Sequence, residues 1–269
     1  MLPILMYHSI AQVPEQYDPL GLAVPRKLFE QQMAALYRAG YRCLSLSDAV
    51  RRWRGGLSQP RKSFVLTFDD GYQNLYTEAW PILERYGFTA TVFLVVGRMG
   101  RQSDWGQQVG PAATRLLSWA EARELSRLGV AFGSHTLTHP RLTLLDDARA
   151  EHEIRQSKAL IEEHLGVGAC LFSYPYGEFD TRIQRMVVES GYTAACGVDR
   201  GPWGLLNLWR AQCSSGTTLR AFGCKARGWH HRLIWLREQS CLRRPLRYVV
   251  RALKRGALIE KHHPGRTGQ

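Results

Sequence analysis

Two short segments carry side chains whose types and spacing suit metal-assisted hydrolysis. The first is Thr67-Phe68-Asp69-Asp70-Gly71, two adjacent carboxylates after an apolar run. In a regular strand neighbouring side chains point to opposite faces. Both carboxylates can serve one site only if the chain turns there, and Gly71 permits a turn. One can then bind a cation while the other stays free as a base, and the cation keeps the pair ionised despite their like charge. The plain alternative is a helix N-cap, where Asp is favoured. The second segment is His135-Thr136-Leu137-Thr138-His139-Pro140. Imidazoles four apart can meet one metal if the chain makes a helical turn. Pro140 disfavours the α region for His139, which argues for a single turn or loop. No Glu lies between the histidines, so this is not the HExxH arrangement, and Asp69 is the available base.

Asp70, His135 and His139 together make a usual ligand set for an open divalent site, zinc first, with cobalt, nickel or manganese as alternatives. Such an ion lowers the pKa of bound water from near 16 to about 7 and polarises a carbonyl. Asp69 then takes the water proton, a backbone N–H serves the oxyanion, and a general acid must protonate the leaving amine.

These groups need elements that bring them together. Short apolar runs at 4–7, 42–46, 63–68, 89–96, 130–133, 170–174 and 193–198 read as strands. Helical patterns fill 25–39, 76–86, 118–128, 146–165 and 180–190. Gly40, Gly87, Gly129, Gly166 and Gly191 each follow a helix, where a left-handed cap is needed. Repeated helix–Gly–strand joints imply an α/β fold with a parallel sheet, a barrel or a wound sheet. A barrel places chemistry at the carboxyl ends of strands. His8, Asp69-Asp70, His135 and Pro175-Tyr176 all sit just after apolar runs.

TFDDG, HTLTH and FSYPYG, in this order, resemble the polysaccharide deacetylase family (carbohydrate esterase family four, the NodB-homology domain). The opening LMYHSI resembles the subgroup that includes exopolysaccharide and poly-N-acetylglucosamine deacetylases, and the likeness spans about residues 2–225. It implies a distorted, incomplete (β/α) barrel that removes the N-acetyl group of a GlcNAc-like unit. It implies Asp69 as base, Asp70, His135 and His139 as metal ligands, and Tyr176 as the oxyanion's backbone donor beside Pro175. It implies His8 as the acid, because no later histidine motif follows a strand. One departure stands out. Many members carry Arg two residues before the third motif's Pro, where this chain has Ser173. Arg210, from a later strand, is the candidate substitute. Tyr72, Trp105, Tyr176 and Trp203 are candidates for stacking on sugar rings, with core packing as the alternative.

The chain of 269 residues carries +13, but Arg220 to Gln269 holds thirteen Lys/Arg against two Asp/Glu, leaving +2 for residues 1–219. The division expected is a catalytic domain over 1–225 and a basic, partly helical extension over 226–269. In the extension Pro245 can open a helix with Leu246, Val249, Val250 and Leu253 on one face and Arg247, Arg251, Lys254 and Arg255 on the other. That helix could rest on an anionic membrane surface or dock on the barrel. A near-neutral body without a binding motif argues against nucleic acid. Cys43, Cys170, Cys196, Cys213, Cys224 and Cys241 show no CxxC spacing and read as free buried thiols. The start lacks a basic n-region and a long apolar run, so a cytoplasmic protein, peripheral at the inner membrane face at most, is expected.

Three rival readings share these residues. One is a hydrolase of another acyl group, such as a deformylase, an O-acetyl esterase or a cyclic amidase. One is a two-His-one-carboxylate Fe(II) oxygenase, against which the unused Asp69 speaks. One is a glycan-binding barrel without catalysis, for which Ser173 is the best support.

Overall fold

A computed structural model describes residues 2–105, 115–198 and 201–229. Among the described residues eight strands run in chain order: β1 (Ile4–Tyr7), β2 (Arg42–Leu44), β3 (Ser63–Phe68), β4 (Thr91–Leu94), β5 (Ala131–Ser134), β6 (Leu171–Ser173), β7 (Ala194–Cys196) and β8 (Ala211–Gln212). The same described residues hold seven α-helices: α1 (Arg26–Arg38), α2 (Leu46–Arg54), α3 (Trp80–Arg85), α4 (Trp119–Arg127), α5 (Asp147–Leu165), α6 (Thr181–Glu189) and α7 (Leu219–Ala226). The sheet order is β7-β6-β5-β4-β3-β1-β8, with β2 on β3, and every pairing is parallel. The segment entering β8 also bridges back to β7 at Cys196 and Leu208, so the curled sheet approaches itself. This is the distorted, incomplete (β/α) barrel.

Inward-facing positions alternate along each strand. Ile4, Val65, Phe93, Leu171, Ala194, Cys196 and Leu208 form one buried cluster with Leu46, Ala49 and Val50 of α2. Two residues further along, the same inner face becomes polar. Val65 gives way to Thr67 and Asp69, Leu171 to Ser173, and Leu208 to Arg210, all buried. The interior is thus an apolar floor under a polar carboxyl end, as barrel enzymes require. The outward faces pack under the helices: Leu5, Leu66, Val92 and Phe132 share a cluster with α1, α3, α4 and α7.

Local chemistry explains the elements and the departures from expectation. Gly40, Gly87, Gly129, Gly166 and Gly191 all take positive φ after a helix, as read from sequence. Helix α2 was not foreseen, and the expected strand 42–46 ends at Leu44. Ser45 caps α2 by accepting from the Asp48 N–H at 3.0 Å. Only Leu46, Ala49 and Val50 mark its buried face, amid arginines. Helix α7, also unforeseen, is capped the same way by Thr218. The expected helix 76–86 is a π-turn, Leu75–Ala79, running into α3. Pro81 has no N–H to give Thr77, so the ladder widens there. Of the thiols, Cys196 and Cys213 are buried, but Cys170 is exposed, and the described cysteines are free. Among the described residues no helix is long and apolar enough to cross a membrane. The expected tail helix and its partners fall on residues 230–269, outside the described residues.

Candidate active site

Asp69 follows β3 on the inner face, and Arg210 reaches it from the segment entering β8. Nη1 donates to Asp69 Oδ1 at 2.6 Å and Nη2 to Oδ2 at 2.7 Å, a bidentate pair. The guanidinium is itself fixed, Nε donating to Gly197 O and Nη2 to the Ser173 hydroxyl at 3.0 Å. The small Ser173 side chain leaves room for this approach and lies 3.4 Å from Asp69 Oδ2. Burial alone would raise the Asp69 carboxyl, but the Arg210 charge holds it well below the usual carboxylate range.

Asp70 turns the chain. Its φ is +70° and that of Gly71 is +74°, so the turn foreseen at Gly71 begins one residue earlier. A Cβ on Gly71 would also meet Leu94 Cδ2 at 2.7 Å. The double left-handed turn lets both carboxylates serve one end of the barrel. Asp70 is buried; burial and the Asp69 charge push its carboxyl up to about 7, opposed by the Tyr72 hydroxyl and the Trp105 indole.

His135 and His139 meet on a loop, within the turn-or-loop expectation that Pro140 set. Thr136 (φ +71°) and His139 (φ +64°) are both left-handed, and this loop geometry brings the rings together. His135 Nδ1 lies 2.8 Å from the Ser173 carbonyl, which can only accept, so Nδ1 carries the proton and Nε2 the lone pair. The two Nε2 atoms are 3.2 Å apart, and each lies 3.5 Å from Asp70 Oδ1. That oxygen is buried and accepts no hydrogen bond. Burial keeps both imidazoles neutral, driving His139 to about 2. Asp70, His135 and His139 are the group among the described residues placed to hold a metal ion.

His8, after β1, is partly buried with an unpartnered Nδ1. Burial lowers its imidazole to about 4, against the pull of Asp69, and the charges of Arg210 and His135 also reach it. Tyr176 is left-handed too (φ +59°) in a single turn, Pro175–Gly177. The turn's bonds run from Gly177 N–H to Tyr174 O and from Glu178 N–H to Pro175 O, so they do not use the Tyr176 N–H. The Tyr176 ring sits edge-on to His139 at 4.7 Å under the Arg141 guanidinium at 4.2 Å. Four of the five non-glycine residues with positive φ among the described residues therefore border this site, where strain is expected to gather.

The candidate aromatics divide. Trp105 stacks on His139, centroids 4.8 Å apart, and Tyr72 is buried beside Asp70. Trp203 instead packs edge-on against Trp53 of α2, whose apolar face joins the barrel floor. Sequence reasoning passed over Glu153 of α5, a buried carboxylate against the histidine loop. The available signal was an acidic residue beside the apolar stripe of Ala150, Ile154 and Ile161.

The fold and this constellation define a NodB-like (β/α) barrel with its polar site at the carboxyl ends of the strands. Residues 56–195 match the polysaccharide deacetylase family. YxkH of Bacillus subtilis (strain 168), a protein of the same family, is 30% identical over 226 residues, 82% of this chain and 75% of its own length. The poly-beta-1,6-N-acetyl-D-glucosamine N-deacetylase of Escherichia coli (strain K12) is 31% identical over 49% of this chain, a match covering only 20% of that enzyme. Among solved structures, the deacetylase PplD of Streptococcus pyogenes, in complex with acetate, superposes with a TM-score of 0.72 at 27% identity, covering 84% of this chain and 97% of PplD. The chain belongs to the polysaccharide deacetylase family.

Proposed function

We propose that this protein hydrolyses the N-acetyl group of a GlcNAc-like residue in a glycan, releasing acetate, with a divalent ion held by Asp70, His135 and His139. The observation that carries the reading is the triangle of ligating atoms beside Asp69. Its edges are 3.2, 3.5 and 3.5 Å. Ligands about 2.1 Å from a tetrahedral zinc ion stand roughly 3.4 Å apart, so the three atoms fit one face of that tetrahedron. The orphaned Asp70 Oδ1 and the neutral imidazoles suit the same occupant. Zinc fits this nitrogen and oxygen set, and cobalt, nickel or manganese are alternatives. Bound there, the ion would supply Lewis acidity to the acyl carbonyl and to an attacking water.

The remaining roles belong to the chain. Asp69, kept ionised by Arg210, accepts a proton from the attacking water. Arg210 aims that carboxylate and is a positioning residue. The Tyr176 N–H donates to the oxyanion of the tetrahedral centre. As the C–N bond breaks, His8 gives a proton to the amine; burial leaves its imidazole neutral at rest, so the proton it passes on is the one Asp69 took from the water.

Acetate release from a panel of N-acetylated glycans tests the reading. Oligomers of β-1,4- and β-1,6-linked GlcNAc and lipid-linked GlcNAc should be offered to zinc-loaded wild type and to Asp69→Asn. Acetate from at least one glycan with wild type, and none above background with the variant, is the expected result. No acetate from any of them, under conditions where zinc is bound, overturns the proposal.

A further inference from the structure

The loop that presents the two histidines holds its left-handed shape by an unusual set of bonds. Thr136, Leu137, Thr138 and His139 lie outside any helix or strand, yet each of their N–H groups has a side-chain acceptor. Thr136 N–H donates to the Ser134 hydroxyl at 3.1 Å, and His139 N–H to the Thr136 hydroxyl at 2.9 Å. The two between them go to one atom. Glu153 Oε2 accepts from Leu137 N–H at 2.9 Å and from Thr138 N–H at 2.8 Å. The second oxygen, Oε1, accepts from the Thr138 hydroxyl at 2.6 Å. On the other side of the loop, Val96 and Gly97 N–H donate to the carbonyls of Thr136 and Leu137. A Cβ at Gly97 would stand 2.6 Å from the Leu137 oxygen, so that wall is backbone against backbone.

We infer that Glu153 is the positioning residue of the metal site, a buried carboxylate that sets the spacing of His135 and His139 without touching the ion. The inference rests on the metal reading above. Two left-handed residues in four are costly for L side chains and persist only where surroundings over-determine them. Glu153 supplies three charge-assisted bonds to the middle of the loop, where nothing else bonds those N–H groups. It rises from α5, a helix of nineteen residues that also carries Ser157. The Ser157 hydroxyl lies 2.6 Å from that of Ser134, which in turn accepts from Thr136. One helix therefore holds the loop at two points a turn apart. Relaxation of the loop would separate imidazole nitrogens that now stand 3.2 Å apart.

Zinc affinity, read by competition with a chelating dye on the full chain, tests this. Partners behind metal ligands are worth about 10–100-fold in affinity. Glu153→Ala and Glu153→Asp, the latter keeping the charge but retracting it by one methylene, should weaken zinc binding by about tenfold or more. Glu153→Gln, with the same reach and an oxygen for the two N–H groups, should restore it to within about threefold of wild type. Glu162→Ala is the control. Glu162 lies on the same helix and bonds the Ala169 N–H and Lys158, far from the histidines in the chain. It should lower Tm and leave zinc affinity unchanged. Glu153→Asp that folds and binds zinc as tightly as wild type overturns the inference, as does Glu162→Ala weakening zinc equally. Wild type that binds no zinc overturns the metal reading itself, and this inference with it.

Discussion

Arg210 meets Asp69 in a bidentate ion pair across 141 positions of sequence, both side chains buried, with the Ser173 hydroxyl alongside. The pair places a permanent cation behind the carboxylate assigned as base. The two oxygens are held at 2.6 and 2.7 Å, so Asp69 has little freedom to rotate away.

Removing the guanidinium should therefore cost both stability and turnover. Arg210→Met leaves a buried carboxylate without its partner, a change worth about 3–5 kcal/mol. Chemical denaturation should show that loss, and kcat should fall while KM for the glycan changes little. Arg210→Lys should recover part of the stability and little of kcat, because an ammonium cannot hold both oxygens.

Asp69→Asn should separate binding from chemistry. Zinc affinity should stay near wild type, since Asp70 and the histidines are untouched. Turnover should fall by about 10²–10⁴-fold, the usual worth of a general base. Dye competition and acetate release on the same preparation check the pair of outcomes.

His135→Ala should act at the other end of the same division. It removes a ligand whose Nδ1 is anchored on Ser173 O. Metal affinity should drop by at least the ~10–100-fold of an outer-shell change. Excess zinc should restore part of its activity, whereas it should restore none to Asp69→Asn.

Acid should unfold the metal-free protein partly through Asp69. Arg210 holds its carboxyl below the ordinary range in the fold. An unfolded Asp titrates near about 4. A depressed pKa contributes stability that is present above the unfolded value and lost as pH falls through it toward the folded one. Melting curves from pH 7 down to 3 should show the advantage of wild type over Arg210→Met shrinking as pH falls, first because burial raises the unpartnered Asp69 carboxyl of the variant, then below about pH 4 because unfolded wild type takes up a proton that its folded state does not. A constant difference between the two across that range would exclude this origin.

His8→Gln should lower kcat with little change in zinc affinity, because His8 lies near the ligands without being one of them. Equal loss of zinc binding would make it a structural neighbour of the metal site and not the proton donor.

Much of this molecule can be read along the chain. The apolar runs, the glycines after helices and the polar residues behind the strands reflect local rules: side-chain alternation, left-handed caps and the carboxyl-end placement of barrel chemistry. Asp69, Asp70, His135 and His139 were legible because each pair is close in sequence and its chemistry is intrinsic to the side chains. What could not be read is how they converge. The left-handed turns at Asp70, Thr136 and His139 run against local preference and are held by contacts from elsewhere. Glu153 looks like any acidic helix residue until α5 packs against the loop. Arg210 was suggested only by the absence of an arginine at Ser173, and no local signal said that its guanidinium would reach Asp69. Trp203 looked equal to Trp105 in sequence, yet one packs on α2 and the other on a histidine. Side-chain type and spacing are properties of the chain alone, whereas distance between residues far apart in it exists only once the barrel has curled and packed.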